Sequence, residues 1–279
     1  NERVLDGYRF DTGPSLLTMP FVLDDLFRSA GFARESFLEL VATDPICRYF
    51  FPDGSRLDTG ARPEAMRAAI AEFAPSDAGG FERFMEYSRR IYEFSKDVFL
   101  FTPFGELSKM KAAADWRMLF RIHHLDPFRT VHRAVSRHFQ DPRLVQLFDR
   151  YTTYNGSNPF RAPATLNVIP YVEYAFGGWY ARGGMYRIAK ALAEVAHRLG
   201  VEIHTSLPVE KILHDGRRVN GVEVGGENVA ADFVLCGADV VDTWNHLIDG
   251  FPQRTAKLNR LEPSSSGMVF LWGVRGRYP

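Results

Sequence analysis

The segment FDTGPSLLTMP, residues 10–20, combines an aspartate, a Gly-Pro pair and hydroxyl side chains where an extended stretch passes into a helix. Glycine accepts backbone angles that other residues avoid and proline fixes its own φ, so Gly13 and Pro14 favour a backbone that approaches a ligand closely. The hydroxyl of Ser15 or Thr18 can donate to a phosphate or cap the next helix. An ordinary strand-to-helix turn is the alternative interpretation of these residues.

The histidines and cysteines lack the spacing of metal ligands. Adjacent residues of a helix point to different faces, and residues six apart do not form the i, i+4 pair that binds zinc. The pairs concerned are His123 with His124, His132 with His138, and the distant Cys47 with Cys236. We therefore expect no metal site and no disulfide framework, which is typical of a reducing, cytoplasmic setting.

The first half of the chain is predicted to be largely helical. Apolar spacing predicts a helix over 21–30 closed by Gly31, and another that begins at Pro63 and ends near 75. Between them, residues 48–57 are predicted to form two strands joined by a turn at Asp53-Gly54. Residues 81–150 are predicted to be an almost wholly helical insertion, interrupted at prolines and one glycine.

Strand patterns dominate the prediction from residue 151 onward. The run 166–176 is rich in β-branched and aromatic residues and predicts a strand. Apolar residues at three- and four-residue spacing predict a long helix over 185–199, closed by Gly200. Further strands are predicted over 201–205, 209–214, 219–224, 229–236 and 268–274. Tight turns at 215–216 and 225–226 join three of them into an antiparallel meander.

Composition limits the classes of protein to which this chain can belong. The 279 residues are 46% hydrophobic, which is enough for one large or two modest domains. The 34 basic side chains match the 34 acidic ones, so no overall field favours nucleic acid. No apolar run approaches the roughly twenty residues needed to span a bilayer. We expect a soluble, globular, cytoplasmic protein whose membrane contact is peripheral.

Three motifs occur in a fixed order: FDTGPSLLTMP, then YTTYNGSNPF at 151–160, then WYARGGMYRIAKALAEVAHRLGVEI at 179–203. With these motifs the chain resembles the bacterial-type phytoene and carotenoid desaturases, which are FAD-dependent flavoproteins with an amine-oxidase-like fold. The resemblance runs from Tyr8 to about Gly273. The family's GxGxxG-bearing βαβ unit would precede Asn1, and a second flavin segment would follow Pro279. We therefore expect a central fragment that by itself binds FAD weakly or not at all.

The resemblance also implies a domain organisation of the α+β class. A partial FAD-binding domain, lacking its GxGxxG unit, is expected from 1–47 and 178–245, and it includes the three-stranded meander. A substrate domain built on a mixed β-sheet is expected from 48–177 and 246–279. Within it, residues 81–150 form the helical insertion.

Several residues are implied to bind the cofactor. A surface ion pair is the alternative interpretation of Arg182. Val209 lies in a Pro-Val-x-x-Ile segment whose valine backbone faces the adenine in this family, and its alternative is a plain strand residue in the core. The residues implied are Gly13, Pro14, Ser15, Val209, Arg182, Gly183 and Gly184.

The resemblance further implies an acid or base and a substrate wall. Asp141, in HFQDPRLVQLF, matches an aspartate proposed in this family to act near the flavin. The alternative is a helix cap, because Asp followed by Pro is the expected N-cap and first residue of a helix. Tyr151, Tyr154 and Asn158 are implied to line the substrate cavity, with core packing as the alternative for the tyrosines.

The implied reaction is the removal of hydride from an allylic carbon of a carotenoid, such as phytoene, to flavin N5. Other hypotheses remain open: a carotenoid isomerase or an amine oxidase on the same fold, or a noncatalytic protein that binds isoprenoids or other lipids. No metal or nucleic acid is expected, and the oligomeric state stays undetermined.

The insertion carries 13 Lys or Arg and 9 Asp or Glu. Its aromatic residues include Phe99, Phe101, Phe104, Trp116, Phe120 and Phe128. Positive charge beside exposed aromatic rings favours the surface of an anionic bilayer. Residues 98–104 are therefore predicted to enter the headgroup region. The alternative is that these rings form the insertion's own core.

Overall fold

The computed structural model describes residues 2–102 and 122–276. The chain divides into two compact units: Asn1–Val195 with Ser264–Pro279 (unit 1), and Ala196–Pro263 (unit 2). The predicted division by ligand, into a partial FAD-binding domain and a substrate domain, stays a prediction. The α+β class is confirmed, because helices and small antiparallel sheets both occur.

Unit 1 begins with a hairpin of strands β1 (Glu2–Leu5) and β2 (Tyr8–Asp11). Its turn residues, Asp6 and Gly7, both have positive φ, at 49° and 80°, as a two-residue turn between twisted strands requires. Helix α1 (Pro20–Ser29) follows and confirms the helix predicted over 21–30.

Two short strand pairs follow α1. Strand β3 (Leu40–Ala42) pairs antiparallel with β6 (Trp179–Ala181), which lies far along the chain. Strands β4 (Cys47–Phe50) and β5 (Arg56–Thr59) form the hairpin predicted around Asp53-Gly54.

The helices of unit 1 confirm the prediction of a largely helical insertion for those parts of 81–150 that the structure describes. Two of the predicted interruptions, Pro103 and Gly105, lie outside the described residues. Besides α1, the helices described in unit 1 are α2 (Pro63–Phe73), α3 (Gly80–Ser95), α4 (Val131–Val135), α5 (Pro142–Asp149), α6 (Val168–Phe176) and α7 (Tyr186–Arg198), of which α3, α4 and α5 belong to the insertion. A π-helical turn (Lys96–Leu100) and 3-10 turns (Arg34–Ser36, Pro75–Asp77, Ile122–Leu125, Arg150–Asn155, Ala164–Asn167) lie between them.

The strand predicted over 166–176 is wrong, because these residues form a 3-10 turn and then α6. A continuous apolar run looks the same in a buried strand and in a buried helix. Pro170 does not prevent the helix, since it lies in the first turn, where a backbone N–H has no intrahelical partner. The predicted mixed β-sheet is therefore replaced by helices around the β4–β5 hairpin.

An aromatic core holds these helices together. The rings of Phe139 and Phe148 stack with their centroids 4.5 Å apart, and Phe84 packs against Phe148 at 4.7 Å. All three side chains are at most 2% exposed. Burying a phenylalanine stabilises the fold by about 1.5–3 kcal/mol. A second cluster packs α1 against α7 through Phe27, Ala191 and Val195.

Unit 2 contains the predicted meander, which is confirmed. Strands β7 (Val209–His214), β8 (Val219–Val224) and β9 (Glu227–Ala230) pair antiparallel in that order. The second turn uses Gly225 and Gly226, both at positive φ. After the meander come a short helix, α8 (Val240–Asp242), a π-helical turn (Thr243–Leu247) and α9 (Pro252–Leu258).

Three other strand predictions are wrong. Residues 201–205 and 268–274 form no strand, and β9 ends at Ala230 instead of continuing to 236. A strand requires a neighbour that completes its hydrogen-bond ladder. Within the described ranges no strand pairs with these segments. Their apolar side chains are accordingly open, with Phe233 93% and Leu235 100% exposed.

Candidate functional site

The end of the β1–β2 hairpin meets the turn before α7 through a group of polar side chains, Arg9, Asp11 and Tyr180, here called the polar corner. The Tyr180 hydroxyl donates to Asp11 Oδ2 at 2.5 Å, and Arg9 Nη1 donates to Asp11 Oδ1 at 3.2 Å. Burial opposes ionisation, but hydrogen bonds from Tyr180, the backbone of Met185 and Arg9 hold the pKa of Asp11 below its ordinary value. The Asp11 carboxylate thus joins the first motif to the third.

Backbone contacts strengthen this junction. Leu17 and Trp179 exchange two N–H to C=O hydrogen bonds, each 2.8 Å long. At Gly178, an added Cβ would lie 2.7 Å from Leu16 Cδ1 and 2.9 Å from Thr43 Oγ1. Only glycine fits there without a shift of its neighbours. Residues 10–18 and 178–187 are therefore one surface, although more than 150 residues separate them along the chain.

Gly183 and Gly184 form the turn of the third motif, with φ of 86° and 110°. A Cβ at Gly184 would lie 2.1 Å from Arg9 Nη1, so the close approach seen here is to the polar corner. Arg182 pairs with Glu39 at 2.6 Å and is 65% exposed. This is the surface ion pair that the sequence offered as the alternative interpretation of Arg182. The cofactor contacts of these three residues stay predictions.

The conformation expected at Gly13 is not found. Its φ lies outside the left-handed region, and the positive φ of the segment is at Met19, at 54°. Met19 is the N-cap of α1 and makes no side-chain cap, so the capping role suggested for Ser15 or Thr18 is wrong. Residues 12–15 are exposed, and no atom lies within 4 Å of a Cβ built on Gly13. The backbone at Gly13, Pro14 and Ser15 is open to a ligand.

Val209, the predicted contact for the adenine, is the first residue of β7 in unit 2. It is 41% exposed, whereas Ile212 of the same strand is 7% exposed. The core position that the alternative interpretation gives to Val209 is therefore not found, whereas Ile212 does lie in the core. The cofactor role of Val209 stays a prediction.

Asp141 is the N-cap of α5, as its alternative interpretation predicts. Its Oδ1 accepts the backbone N–H of Arg143 at 2.8 Å, and the Arg143 guanidinium binds both oxygens, at 3.0 and 2.6 Å. Its own N–H donates to the buried carboxylate of Asp77 at 2.8 Å. Arg143 holds the pKa of Asp141 below its ordinary value. Both oxygens are engaged in the described chain, and a catalytic role stays a prediction.

Tyr151 and Tyr154 donate to one buried carboxylate, that of Glu173. The two hydroxyl groups lie 2.6 and 2.7 Å from Oε1 and Oε2 of Glu173, which is 2% exposed. The Arg150 guanidinium lies over the rings of Tyr151, at 4.7 Å, and Tyr49, at 5.4 Å. These residues are the tyrosine–glutamate cluster. Burial raises the pKa of Tyr151 well above its ordinary value, so its hydroxyl keeps its proton.

Sequence reasoning missed Glu173 and Arg150. Core packing explains Tyr151, which is 1% exposed, but not Tyr154, which is 50% exposed. The available signal was Glu173 itself, a lone acid within an apolar run. Buried carboxylates need partners, and tyrosines are suitable donors.

A cavity of about 890 Å³, here called the His132 cavity, lies between α4, α5 and the loop before Ala162. Its wall is mainly apolar. His132 Nδ1 lies 2.7 Å from Asp149 Oδ2 on this wall. Asn158 is not among the lining residues, but its Oδ1 accepts the N–H of Phe160 at 2.9 Å and shapes the loop. The apolar lining residues are Phe139, Pro142, Val145, Pro159 and Phe160.

The described residues contain neither a membrane-spanning helix nor a metal-binding cluster. In 2–102 and 122–276 no helix is long and apolar enough to cross a bilayer. Over the same ranges, no group of three or more His, Cys, Asp or Glu side chains is placed to hold a metal ion.

Comparison with known proteins gives one family and a set of relatives. The family described as flavin containing amine oxidoreductase matches residues 2–263. The chain is 34% identical over 276 residues to 4,4'-diapolycopene oxygenase of Methylomonas sp, covering 98% of this chain and 55% of that protein. It is 33% identical to 1-hydroxycarotenoid 3,4-desaturase of Flavobacterium sp. (strain P99-3), covering 99% of this chain and 56% of that protein. It is 34% identical to zeta-carotene-forming phytoene desaturase of Myxococcus xanthus, covering 100% and 54%. The chain thus spans about half the length of these relatives.

Proposed function

This chain belongs to the flavin-containing amine oxidoreductases, and from that premise we propose that its protein desaturates a phytoene-like carotenoid hydrocarbon with FAD as cofactor. The relatives named above support this, because a phytoene desaturase and a hydroxycarotenoid desaturase each match nearly the whole chain. The observation that carries the proposal is the joining of FDTGPSLLTMP to the Arg-Gly-Gly turn, since the residues that the resemblance assigns to the flavin lie in these two segments.

The residues present fit a flavin at this surface. Gly13, Pro14 and Ser15 expose backbone with free space beside it. Thr12 lines a cavity of about 470 Å³ with residues 269 and 271. The polar corner holds the hairpin end against Gly184 and sets the position of that backbone. When bound, the flavin supplies the hydride acceptor for the allylic carbon.

The apolar substrate requires walls that exclude water. We propose Tyr151 and Tyr154 as part of such a wall, and hydrogen bonds to Glu173 fix the positions of both side chains. Positioning of this kind contributes more to hydride removal than an array of ionisable groups. Asp141 is retained as the proposed acid or base. Replacing Asp141 with Asn keeps the helix cap, so loss of turnover with an unchanged Tm supports that role, and full turnover removes it.

Delivery of a hydrocarbon requires contact with lipid. We infer that residues 98–104 provide it, because Leu100 and Phe101 are 45% and 48% exposed. Phe128, elsewhere in the insertion, is 90% exposed. Apolar side chains of this size at the surface favour a membrane interface. Phe99 has no described side chain, and Phe104, Trp116 and Phe120 lie outside the described residues.

An oxygenase is the second candidate, because the relative from Methylomonas sp is named 4,4'-diapolycopene oxygenase at 34% identity. Expression of the complete gene in a bacterium that accumulates phytoene, neurosporene or lycopene tests both. A product with a longer conjugated system and no added oxygen supports the desaturase. An oxygenated product supports the oxygenase.

Other outcomes, together with assays of the purified complete protein, contradict both candidates. Unchanged pigments, together with the absence of flavin absorbance in the purified complete protein, support a noncatalytic lipid-binding protein. A product with unchanged composition but altered double-bond geometry supports an isomerase, and turnover of amines supports an amine oxidase.

Gly13→Leu fills the space beside the backbone, so flavin content should fall at least several-fold while Gly13→Ala changes it little.

A further inference from the structure

The tyrosine–glutamate cluster contains a buried acid whose proton chemistry the proposed reaction does not use. Glu173 is 2% exposed, and each of its oxygens accepts one phenolic hydrogen bond, Oε1 from Tyr151 at 2.6 Å and Oε2 from Tyr154 at 2.7 Å. A carboxylate away from water is a strong acceptor, because no water competes for its lone pairs. Glu173 is therefore placed to take the proton of either tyrosine.

The rings of the two tyrosines are adjacent as well as joined through the acid. They stack with their centroids 6.0 Å apart and their planes 13° from parallel. The ring of the buried Tyr174 lies 6.4 Å from that of Tyr151. A phenol loses an electron most readily when a base that is hydrogen-bonded to its oxygen takes the proton at the same time. Stacked phenols that share one carboxylate can therefore exchange both an electron and a proton.

Exposure differs between the two tyrosines and gives the cluster a direction. Tyr151 is 1% exposed, whereas Tyr154 is 50% exposed. A radical on Tyr151 is shielded from water-soluble reductants, and a radical on Tyr154 can meet them. Arg150 supports the stack, since its guanidinium lies 4.7 Å from the ring centroid of Tyr151 and 5.9 Å from that of Tyr154.

We propose that Tyr151, Tyr154 and Glu173 form a relay that carries a one-electron oxidising equivalent from the core of unit 1 to the protein surface. The oxidant is a peroxyl radical, which unsaturated hydrocarbons form with oxygen. The reductant that restores Tyr154 is a soluble thiol or ascorbate. The relay protects the core from oxidation, which is a function beyond the proposed desaturation and independent of it.

Electrons and protons balance over three steps. The peroxyl radical takes an electron from Tyr151 and a proton from solvent and leaves as a hydroperoxide, while the phenolic proton of Tyr151 moves to Oε1 of Glu173. Tyr154 then gives an electron to the Tyr151 radical and a proton to Oε2, as Oε1 returns its proton to Tyr151. Finally the soluble reductant gives an electron to the Tyr154 radical, and Glu173 returns the proton to Tyr154.

Radical trapping on the complete gene product tests the relay. A photo-oxidised ruthenium polypyridyl complex supplies the oxidising equivalent, a nitroso spin trap reacts with tyrosyl radicals, and mass spectrometry locates the adducts. Tyr8 is the comparison within the same chain, because it is 42% exposed and its hydroxyl donates to no carboxylate among the described residues. We expect several-fold more adduct at Tyr154 than at Tyr8. Equal yields would overturn the inference.

Glu173→Gln removes the base and keeps the size of the side chain. The adduct at Tyr154 should fall several-fold, to the yield at Tyr8, while the yield at Tyr8 stays the same. Tyr171→Phe is the control, since Tyr171 packs on Tyr92 outside the cluster, and it should change neither yield. Undiminished trapping at Tyr154 in Glu173→Gln overturns the inference.

Tyr154→Phe tests the transfer between the rings. It keeps the buried carboxylate, so it decides the matter if Glu173→Gln does not fold. The radical should then stay on Tyr151, and freeze-quench electron paramagnetic resonance should show a tyrosyl signal that ascorbate reduces several-fold more slowly than the signal of the native protein. Loss of this slow signal would exclude Tyr151 from the relay and overturn the inference.

The proposed class of oxidant is tested in the native protein. Peroxyl radicals released by an azo initiator in detergent micelles replace the ruthenium complex, and the spin trap is the same. Tyr154 should again carry several-fold more adduct than Tyr8. If peroxyl radicals leave Tyr154 unlabelled, the inference is overturned.

Discussion

Two regions of unit 1 present their residues to ligands in opposite ways. Around the polar corner, the backbone at 12–15 and a turn of two glycines are exposed. The hydrogen bond between Tyr180 and Asp11 fixes the residue that precedes this exposed backbone. In the helical region, the carboxylates of Glu173 and Asp149 are buried. Glu173 accepts a hydrogen bond from a tyrosine hydroxyl, and Asp149 is hydrogen-bonded to a histidine ring. The first region suits a cofactor recognised by shape and backbone. The second suits an apolar molecule held by a few fixed side chains.

The largest expected effect is in the helical core. Phe148→Ala should lower the free energy of unfolding by about 3–5 kcal/mol, because the ring is fully buried and stacks on Phe139. Chemical denaturation measures it. Phe128→Ala is the control at a 90% exposed ring and should stay within about 0.5 kcal/mol. Similar losses for both variants would contradict the assigned core.

A pH dependence is expected from His138, which also belongs to the helical region. Burial, with nearby arginines, lowers the pKa of His138 to about 4, from 6.5. The folded state therefore favours the neutral ring, and this contribution is complete above pH 6.5. It is lost as pH falls from about 6.5 to 4, by less than the limiting slope of about 1.4 kcal/mol per pH unit, because the ring is partly exposed and solvent screens the effect. In His138→Phe this part of the pH dependence should disappear, as measured by denaturation at several pH values.

Glu173→Gln tests the tyrosine–glutamate cluster. The amide keeps the size of the side chain but offers one acceptor oxygen instead of two, so one of the two tyrosine hydroxyls loses its acceptor. We expect a loss of about 2 kcal/mol in the free energy of unfolding. Tyr154→Phe, at a half-exposed ring, should cost less, about 1 kcal/mol. An unchanged free energy of unfolding in Glu173→Gln would mean that the carboxylate is not needed for stability.

Two glycines of the first region are expected to differ in their role. The fold requires glycine at Gly184, whereas Gly13 leaves space for a ligand. Gly184→Ala places a side chain at φ 110° and against Arg9, so it should cost about 1–3 kcal/mol. Gly13→Ala meets neither obstacle and should cost about 0.5 kcal/mol or less. Thermal unfolding of both variants checks this contrast. Equal losses would remove the distinction between a glycine that the fold requires and one that leaves space for a ligand.

The smallest effect is expected at the surface of the insertion. Phe101→Ser should reduce co-sedimentation with anionic liposomes by about twofold to fivefold, because it removes one half-exposed ring from a weak interface. Phe50→Ser, at a 71% exposed ring of the β4–β5 hairpin, is the control and should bind liposomes unchanged. If Phe101→Ser has no effect on binding, residues 98–104 are not the contact.

Local signals were sufficient for much of the fold. Helices that begin at proline and end at glycine, as α1 does, and hairpins with Asp-Gly or Gly-Gly turns are fixed by backbone angles that few residues allow. The N-cap role of Asp141 follows from the same kind of local rule. Prediction failed where the decision depends on a distant partner. The run 166–176 became a helix because its buried face packs on α3, and 201–205 has no neighbouring strand among the residues that the structure describes.

The sequence by itself determined the family, the order of the motifs and the elements whose geometry depends on neighbouring residues. Only the tertiary structure decided which motifs meet. Asp11 and Tyr180 are 169 residues apart, and Tyr151 and Glu173 are 22 apart, yet each pair shares one hydrogen bond. The physical reason is that a carboxylate wholly or partly removed from water takes its donor from the side chain that packing places beside it. No spacing along the chain specifies that neighbour.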